Sequence, residues 1–146
     1  MTDEKDAEPQ TEIQINVIES IETDFNLETF IRKILKLKNL TSGSFEFTLV
    51  NNTKIIEINK EFLNRDYATD IISFNLGEID SPIGDIYISV EKAKENAETH
   101  NQTFDNELKL LIVHGILHLL DYKDYSDEEK KVMFKEQERL LNLVNE

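Results

Sequence analysis

The chain has 146 residues, 39% hydrophobic and 32% charged, which is enough for one domain around a sizeable core. Its 16 basic and 30 acidic side chains give a formal net charge of −14, which excludes broad electrostatic capture of nucleic acid and leaves RNA only local or metal-assisted contacts. There is no cysteine, so disulfides and thiolate metal sites are excluded, and any transition-metal site must use His and carboxylates.

Residues 1–12 hold five acids, one Lys and Pro9 without apolar periodicity, and read as a flexible acidic lead-in to a single domain over 13–146. The polar opening Met1-Thr2-Asp3-Glu4-Lys5-Asp6 is unlike a targeting signal. No apolar run approaches the ~18 residues that cross a bilayer. The expected location is cytoplasmic, with no membrane and no disulfide partner.

Alternation in Glu12-Ile13-Gln14-Ile15-Asn16-Val17 predicts a half-buried strand. Phe30, Ile31, Ile34 and Leu35 follow helical spacing over 27–40, with Asn26 as the N-cap. Phe45, Phe47 and Leu49 mark a second strand over 44–50. Asn51-Asn52-Thr53 starts a helix through Ile55, Ile58 and Phe62. Strands are predicted over 69–76 and 83–90, separated by the turn chemistry of Gly77-Glu78-Ile79-Asp80-Ser81-Pro82. Helices follow over 91–101, 105–120 and 127–144. Four strands interleaved with helices, then helices alone, indicate an α+β domain with helices layered on one mixed sheet.

The run from His114 to Asp124 carries the chemistry. His114 and His118 stand at i and i+4 in a core helix, so they share a face and are able to converge on one ion. A lone His there would be a hydrogen-bonded core residue; the pair, with Gly115 between, favours a metal. The third ligand must lie past the helix end, where Asp121 and Asp124 follow. Asp tolerates the left-handed conformation that ends helices, so Asp121 reads as the stop. Asp124 is better placed to return toward the imidazoles, though it also reads as a solvated turn residue. Ser126 and Glu129 have capping-box spacing, so a new helix starts at once and pins that turn. His114, His118 and Asp124 then leave a tetrahedral ion one open position, the arrangement of catalytic sites. Zinc suits this ligand set best, with Fe(II) and Mn(II) as alternatives.

The segment resembles the YbeY family, bacterial metal-dependent single-strand endoribonucleases linked to ribosomal RNA maturation. The family hallmark is His-Gly-x-Leu-His-Leu-x-Gly-Tyr-x-His, matched here at His114, Gly115, Leu117, His118, Leu119 and Tyr122. Asn59-Lys60-Glu61-Phe62, Thr69-Asp70-Ile71-Ile72-Ser73-Phe74 and Gly84-Asp85-Ile86 resemble further family segments, in the family's order. The chain departs at Asp121, for the usual Gly, and at Asp124, for the usual third His. Leu63 stands where the family usually has Arg, and Arg65, two residues later, is the candidate to supply that charge.

The resemblance implies a metal-dependent endoribonuclease acting on ribosomal RNA precursors, with small-subunit ribosomal proteins as partners. Metal-bound water would attack phosphorus while the ion polarises the phosphodiester; no second catalytic base is evident. Arg65, Asp70 and Ser73 would meet substrate, although Asp70 and Ser73 also read as ordinary strand-entry residues. Gly115 occupies the position where zinc peptidases place a Glu as general base, which argues against a protease. A non-catalytic ribosome-assembly factor with a structural metal, and a small-substrate metal hydrolase, are the competing readings. Elsewhere, Gly84-Asp85 reads as the bend leading into a strand, His100 as solvent-exposed, and Met133, Phe134, Leu140, Leu141 and Val144 as the packed face of the last helix.

Overall fold

The computed structural model describes residues 12–18 and 23–145, so all but the last residue of the lead-in lies outside it. Strands β1 (Glu12–Ile18), β2 (Ser42–Val50), β3 (Ile71–Asn75) and β4 (Ile83–Ser89) form one sheet in the order β1-β2-β4-β3. β1–β2 and β2–β4 are parallel, whereas β3 runs antiparallel to β4. Among the described residues, five α-helices accompany the sheet: α1 (Leu27–Leu37), α2 (Asn52–Ile58), α3 (Val90–Thr99), α4 (Phe104–Leu119) and α5 (Asp127–Val144). This is the expected α+β domain with a mixed four-stranded sheet. No helix among the described residues is long and apolar enough to cross a membrane.

Side-chain alternation divides the sheet into two faces. Phe45, Phe47, Ile86 and Ile88 point toward α1, α4 and α5 and form the main core with Ile31, Ile34, Leu108, Ile112, Ile116 and Leu140. On the opposite face, Ile55 and Ile58 of α2 cover Ile72. Helix α4 is the centre of the domain. Its buried residues run round most of its circumference, which is the pattern of a helix enclosed by other elements rather than lying on a surface.

Helix ends follow the expected capping chemistry. Asn26 Oδ1 accepts from Thr29 N at 2.8 Å, and Ser126 with Glu129 completes a reciprocal capping box. With only four glycines in the chain, left-handed positions fall to Asn39, Asn64, Asn101 and Asp121, short polar residues that tolerate positive φ. The helix expected over 27–40 therefore stops at Leu37, with Asn39 turning the chain at φ 62°.

Three expectations need correction. Gly84 is not a bend but lies within β4, where a Cβ would meet Leu119 Cδ1 at 2.5 Å; the missing side chain lets α4 lie close on the sheet. Residues 59–63 do not continue α2 regularly but wind into a π-helical turn closed by Asn64. Such turns often occur at functional sites. Phe134 does not pack inward with Met133 and Leu140; it is 58% exposed. His100 is largely exposed as expected, although its Nδ1 lies 3.3 Å from the buried Glu107 carboxylate.

A largely buried ionic bridge ties α5 to the end of α1. Lys38 Nζ donates to Glu136 Oε2 at 2.6 Å and to the Tyr122 hydroxyl at 2.8 Å, and Arg139 adds a two-pronged contact to Glu136. Hydrogen bonding from Arg139, opposed by burial and reinforced by Lys38, holds the Glu136 carboxyl at a pKa of about 2. A carboxylate depressed in the folded state stabilises the fold above its ordinary pKa of 4.5, and that contribution disappears as pH falls through about 2. Glu136→Gln is accordingly expected to lower stability by roughly 1–3 kcal/mol near neutral pH. Thermal unfolding of the two proteins from pH 7 to 2 should converge at the acid end; a pH-independent gap would contradict this assignment.

Candidate metal centre

His114 and His118 leave the same side of α4, each about one-third exposed. Their placement depends on Gly115. A Cβ there would lie 2.8 Å from Ile71 Cδ1 and 3.1 Å from Ser73 Oγ, so a side chain at this turn of α4 would have to displace the ends of both where the helix lies against β3. Asn75 braces the end of the same helix: its Nδ2 donates to the Leu119 carbonyl at 3.1 Å, while its Oδ1 accepts from Gly77 N and Ile83 N in the hairpin.

The helix ends in two reverse hydrogen bonds. Asp121 N donates to His118 O and Tyr122 N donates to Leu117 O, both at 3.0 Å, with Asp121 at φ 73°. This is the Schellman arrangement, with Asp at the left-handed position usually held by glycine. It turns the chain back along the helix, and Asp124 arrives beside the rings. Its Oδ2 lies 3.5 Å from His118 Nε2 and 3.9 Å from His114 Nε2. Asp121 instead turns outward to pair with Lys123. The structure therefore brings His114, His118 and Asp124 together, their ligand atoms all within 4.8 Å of one another.

The protonation pattern of the rings follows from their other partners. His118 Nδ1 lies 3.0 Å from the Tyr122 carbonyl, which only accepts, so this nitrogen carries the proton. His114 Nδ1 stands 2.6 Å from Oε1 of the buried Gln137, an acceptor as well. Both Nε2 atoms consequently present lone pairs, and they face each other at 3.0 Å. Burial and the neighbouring His114 ring lower the His118 pKa below the usual histidine value, with Asp124 partly opposing them. Two lone pairs and a carboxylate converging on one point repel unless a cation lies among them. The donor set fits a divalent metal, and outer hydrogen bonds of this kind fix metal-binding imidazoles in the required tautomer.

Gln137 is absent from the sequence reading. Its signal is a polar residue on the buried stripe of α5, four residues after Met133 and three before Leu140. Arg65, Asp70 and Ser73 line a cavity of about 480 Å³ together with His114 and His118. Leu63 lines the same cavity. Asp70 uses Oδ2 to accept from Asn96 Nδ2 at 3.0 Å, so part of its carboxylate is engaged in the scaffold.

A family model described as Endoribonuclease YbeY matches residues 10–145. Among curated relatives, an Endoribonuclease YbeY from Halalkalibacterium halodurans is 37% identical, covering 88% of this chain and 94% of the relative. The namesake from Bacillus licheniformis is 48% identical over 65% of this chain and 68% of its own. A solution structure of a Thermotoga maritima protein superposes with a TM-score of 0.67 at 31% identity, covering 90% of this chain and 89% of the other.

Two substitutions separate the roles of the neighbouring aspartates. Asp121→Gly removes a left-handed non-glycine residue and is expected to stabilise the protein by about 1 kcal/mol, with zinc affinity unchanged. Asp124→Ala is expected to weaken zinc binding at least about tenfold, in the range of an outer-shell loss or beyond it. Thermal unfolding together with competition against a chromophoric chelator reads both. Loss of zinc in the Asp121 variant but not in the Asp124 variant would reverse the assignment.

Proposed function

The chain belongs to the YbeY family of endoribonucleases, and from that membership we propose that it cleaves single-stranded RNA with a divalent metal, in the maturation and quality control of ribosomal RNA. The observation that carries the metal dependence is the convergence of two Nε2 lone pairs and the Asp124 carboxylate, with both Nδ1 protons committed elsewhere. Zinc is the proposed ion, since two imidazoles and a carboxylate are a common catalytic zinc set, with Fe(II) and Mn(II) as alternatives. Held there, the ion would supply Lewis-acid polarisation of the phosphodiester and activation of water toward phosphorus.

The protein's own groups orient and balance that chemistry. The Nδ1–H of His118 donates to Tyr122 O and that of His114 to Gln137 Oε1, so neither ring is free to turn its Nε2 away. Asp124 contributes a negative charge where the family usually has a neutral imidazole, which lowers the net charge of the loaded site. Arg65 is proposed to offset the phosphate charge from the facing cavity, replacing the basic residue absent at Leu63. Ser73 and the remaining oxygen of Asp70 are proposed to hydrogen-bond substrate in the same cavity.

RNA enters against an overall charge of −14, so binding rests on a few local cations rather than a broad basic field. The acidic surface suits docking on basic small-subunit ribosomal proteins, which would deliver the substrate and raise its local concentration. The proposed location is the cytoplasm.

Purified zinc-loaded protein is expected to cut a single-stranded RNA, and chelator should abolish the cut. His118→Ala should lower cleavage more than about 100-fold, beyond the range of outer-shell changes, while remaining folded by circular dichroism. Wild-type protein that binds zinc here and leaves both free RNA and precursor ribosomal particles intact would overturn the catalytic reading. That result would favour an assembly factor with a structural metal.

A further inference from the structure

One face of α5 carries Lys130, Met133, Phe134 and Gln137 at helical spacing i, i+3, i+4 and i+7. Gln137, at one end of this stripe, holds the His114 ring. Between it and Lys130 lies a cavity of about 440 Å³, lined also by His114, Asp124 and Lys131. Its size falls within the roughly 300–1,000 Å³ typical of ligand clefts. Met133, only 2% exposed, forms an apolar floor, whereas Phe134, at 58%, stands at the opening.

Two further observations say what this cleft suits. Lys130 and Lys131 enter none of the ion pairs found among the described residues, although acids outnumber bases almost two to one in the chain. The cleft also shares His114 with the separate cavity that holds Arg65, Asp70 and Ser73. The candidate metal ligands thus stand at the seam between two clefts, each with its own cations. A strand whose reacting phosphate sits at the seam must place one flanking nucleotide on each side.

We propose that the α5 cleft is a nucleotide subsite: the base next to the reacting phosphate stacks on Phe134 above Met133, and Lys130 and Lys131 pair with the adjoining phosphate. An aromatic face with neighbouring cations is the chemistry by which proteins hold unstacked bases of single strands. A paired base stays inside its duplex and does not reach the ring. This inference rests on the endoribonuclease reading and adds to it the position of one nucleotide.

The test is steady-state cleavage of short single-stranded RNAs by zinc-loaded full-length protein. Phe134→Ala is expected to raise KM by roughly 5- to 100-fold, the range of one lost base stack, with kcat within about threefold. Phe134→Tyr, which keeps the ring, should restore KM, while Phe134→Leu should not. On RNA with an abasic ribose beside the cut, wild type and Phe134→Ala should become equal. Replacing Lys130 and Lys131 with Gln should lessen the slope of log affinity against log salt by about 1.4, the value for two single-strand phosphate contacts. Because Phe134 is exposed, its variants should melt with the wild type. Unchanged KM in Phe134→Ala, with wild type active, would overturn the subsite and leave the endoribonuclease reading standing. Unchanged KM joined to lost association with a ribosomal protein would assign the ring to a protein partner, which also overturns it. RNA left uncut by wild type under every metal tested would remove both.

Discussion

Two imidazole nitrogens 3.0 Å apart, each presenting a lone pair, are the constraint from which the site follows. Neither ring is able to relieve the repulsion by moving its proton, because Tyr122 O and Gln137 Oε1 hold both Nδ1–H groups. The nearest charge is a carboxylate, which worsens the balance instead of correcting it. A divalent cation among them would turn that repulsion into attraction, and the bonds that fix both Nδ1–H groups keep the Nε2 atoms turned toward its position. Metal affinity is therefore a property of the scaffold that sets the tautomers as much as of the three ligands.

The scaffold achieves this through backbone geometry at two points. Gly115 and Gly84 remove the side chains that would hold α4 away from the sheet, so the rings are referenced to β3 and β4 rather than to a loop. The Schellman turn at Leu120 and Asp121 then reverses the chain within three residues and delivers Asp124. The Ser126–Glu129 capping box starts α5 directly afterwards, and α5 returns Gln137 to the first ring. Lys38, Glu136 and Tyr122 join the two ends of this circuit, because the residue whose carbonyl orients His118 also accepts from Lys38 through its hydroxyl. Ligand, tautomer partner and core packing thus form one closed network around α4.

Much of this was legible in the residues, and the reasons for what was not are local. The i, i+4 histidines and the position of Asp124 followed from helix geometry and the immediate restart of α5. Asp121 as the helix stop followed from its tolerance of positive φ. Gly84 was misread because a glycine before Asp looks like a turn, whereas the need for it arises from Leu119, far away in sequence. The π-helical turn at Asn59–Leu63 has no periodic signature, since one extra residue wound into a helix leaves the apolar pattern almost intact. Phe134, expected on the packed face, stands in solvent, and Gln137, to which the sequence reading gave no role, is buried on the core stripe. Hydrophobicity alone would place them the other way round, and both residues lie beside the candidate metal ligands, where local rules yield to function.

Crystals grown with zinc and measured on both sides of the zinc absorption edge would test the central claim most directly. The account predicts one anomalous peak, bonded at about 2.0–2.2 Å to Nε2 of His114, Nε2 of His118 and a carboxylate oxygen of Asp124. Both Nδ1 atoms should keep their bonds to Gln137 and Tyr122. An ion bound through Nδ1, or Asp124 turned to solvent with the two rings still in contact and no peak between them, would contradict it.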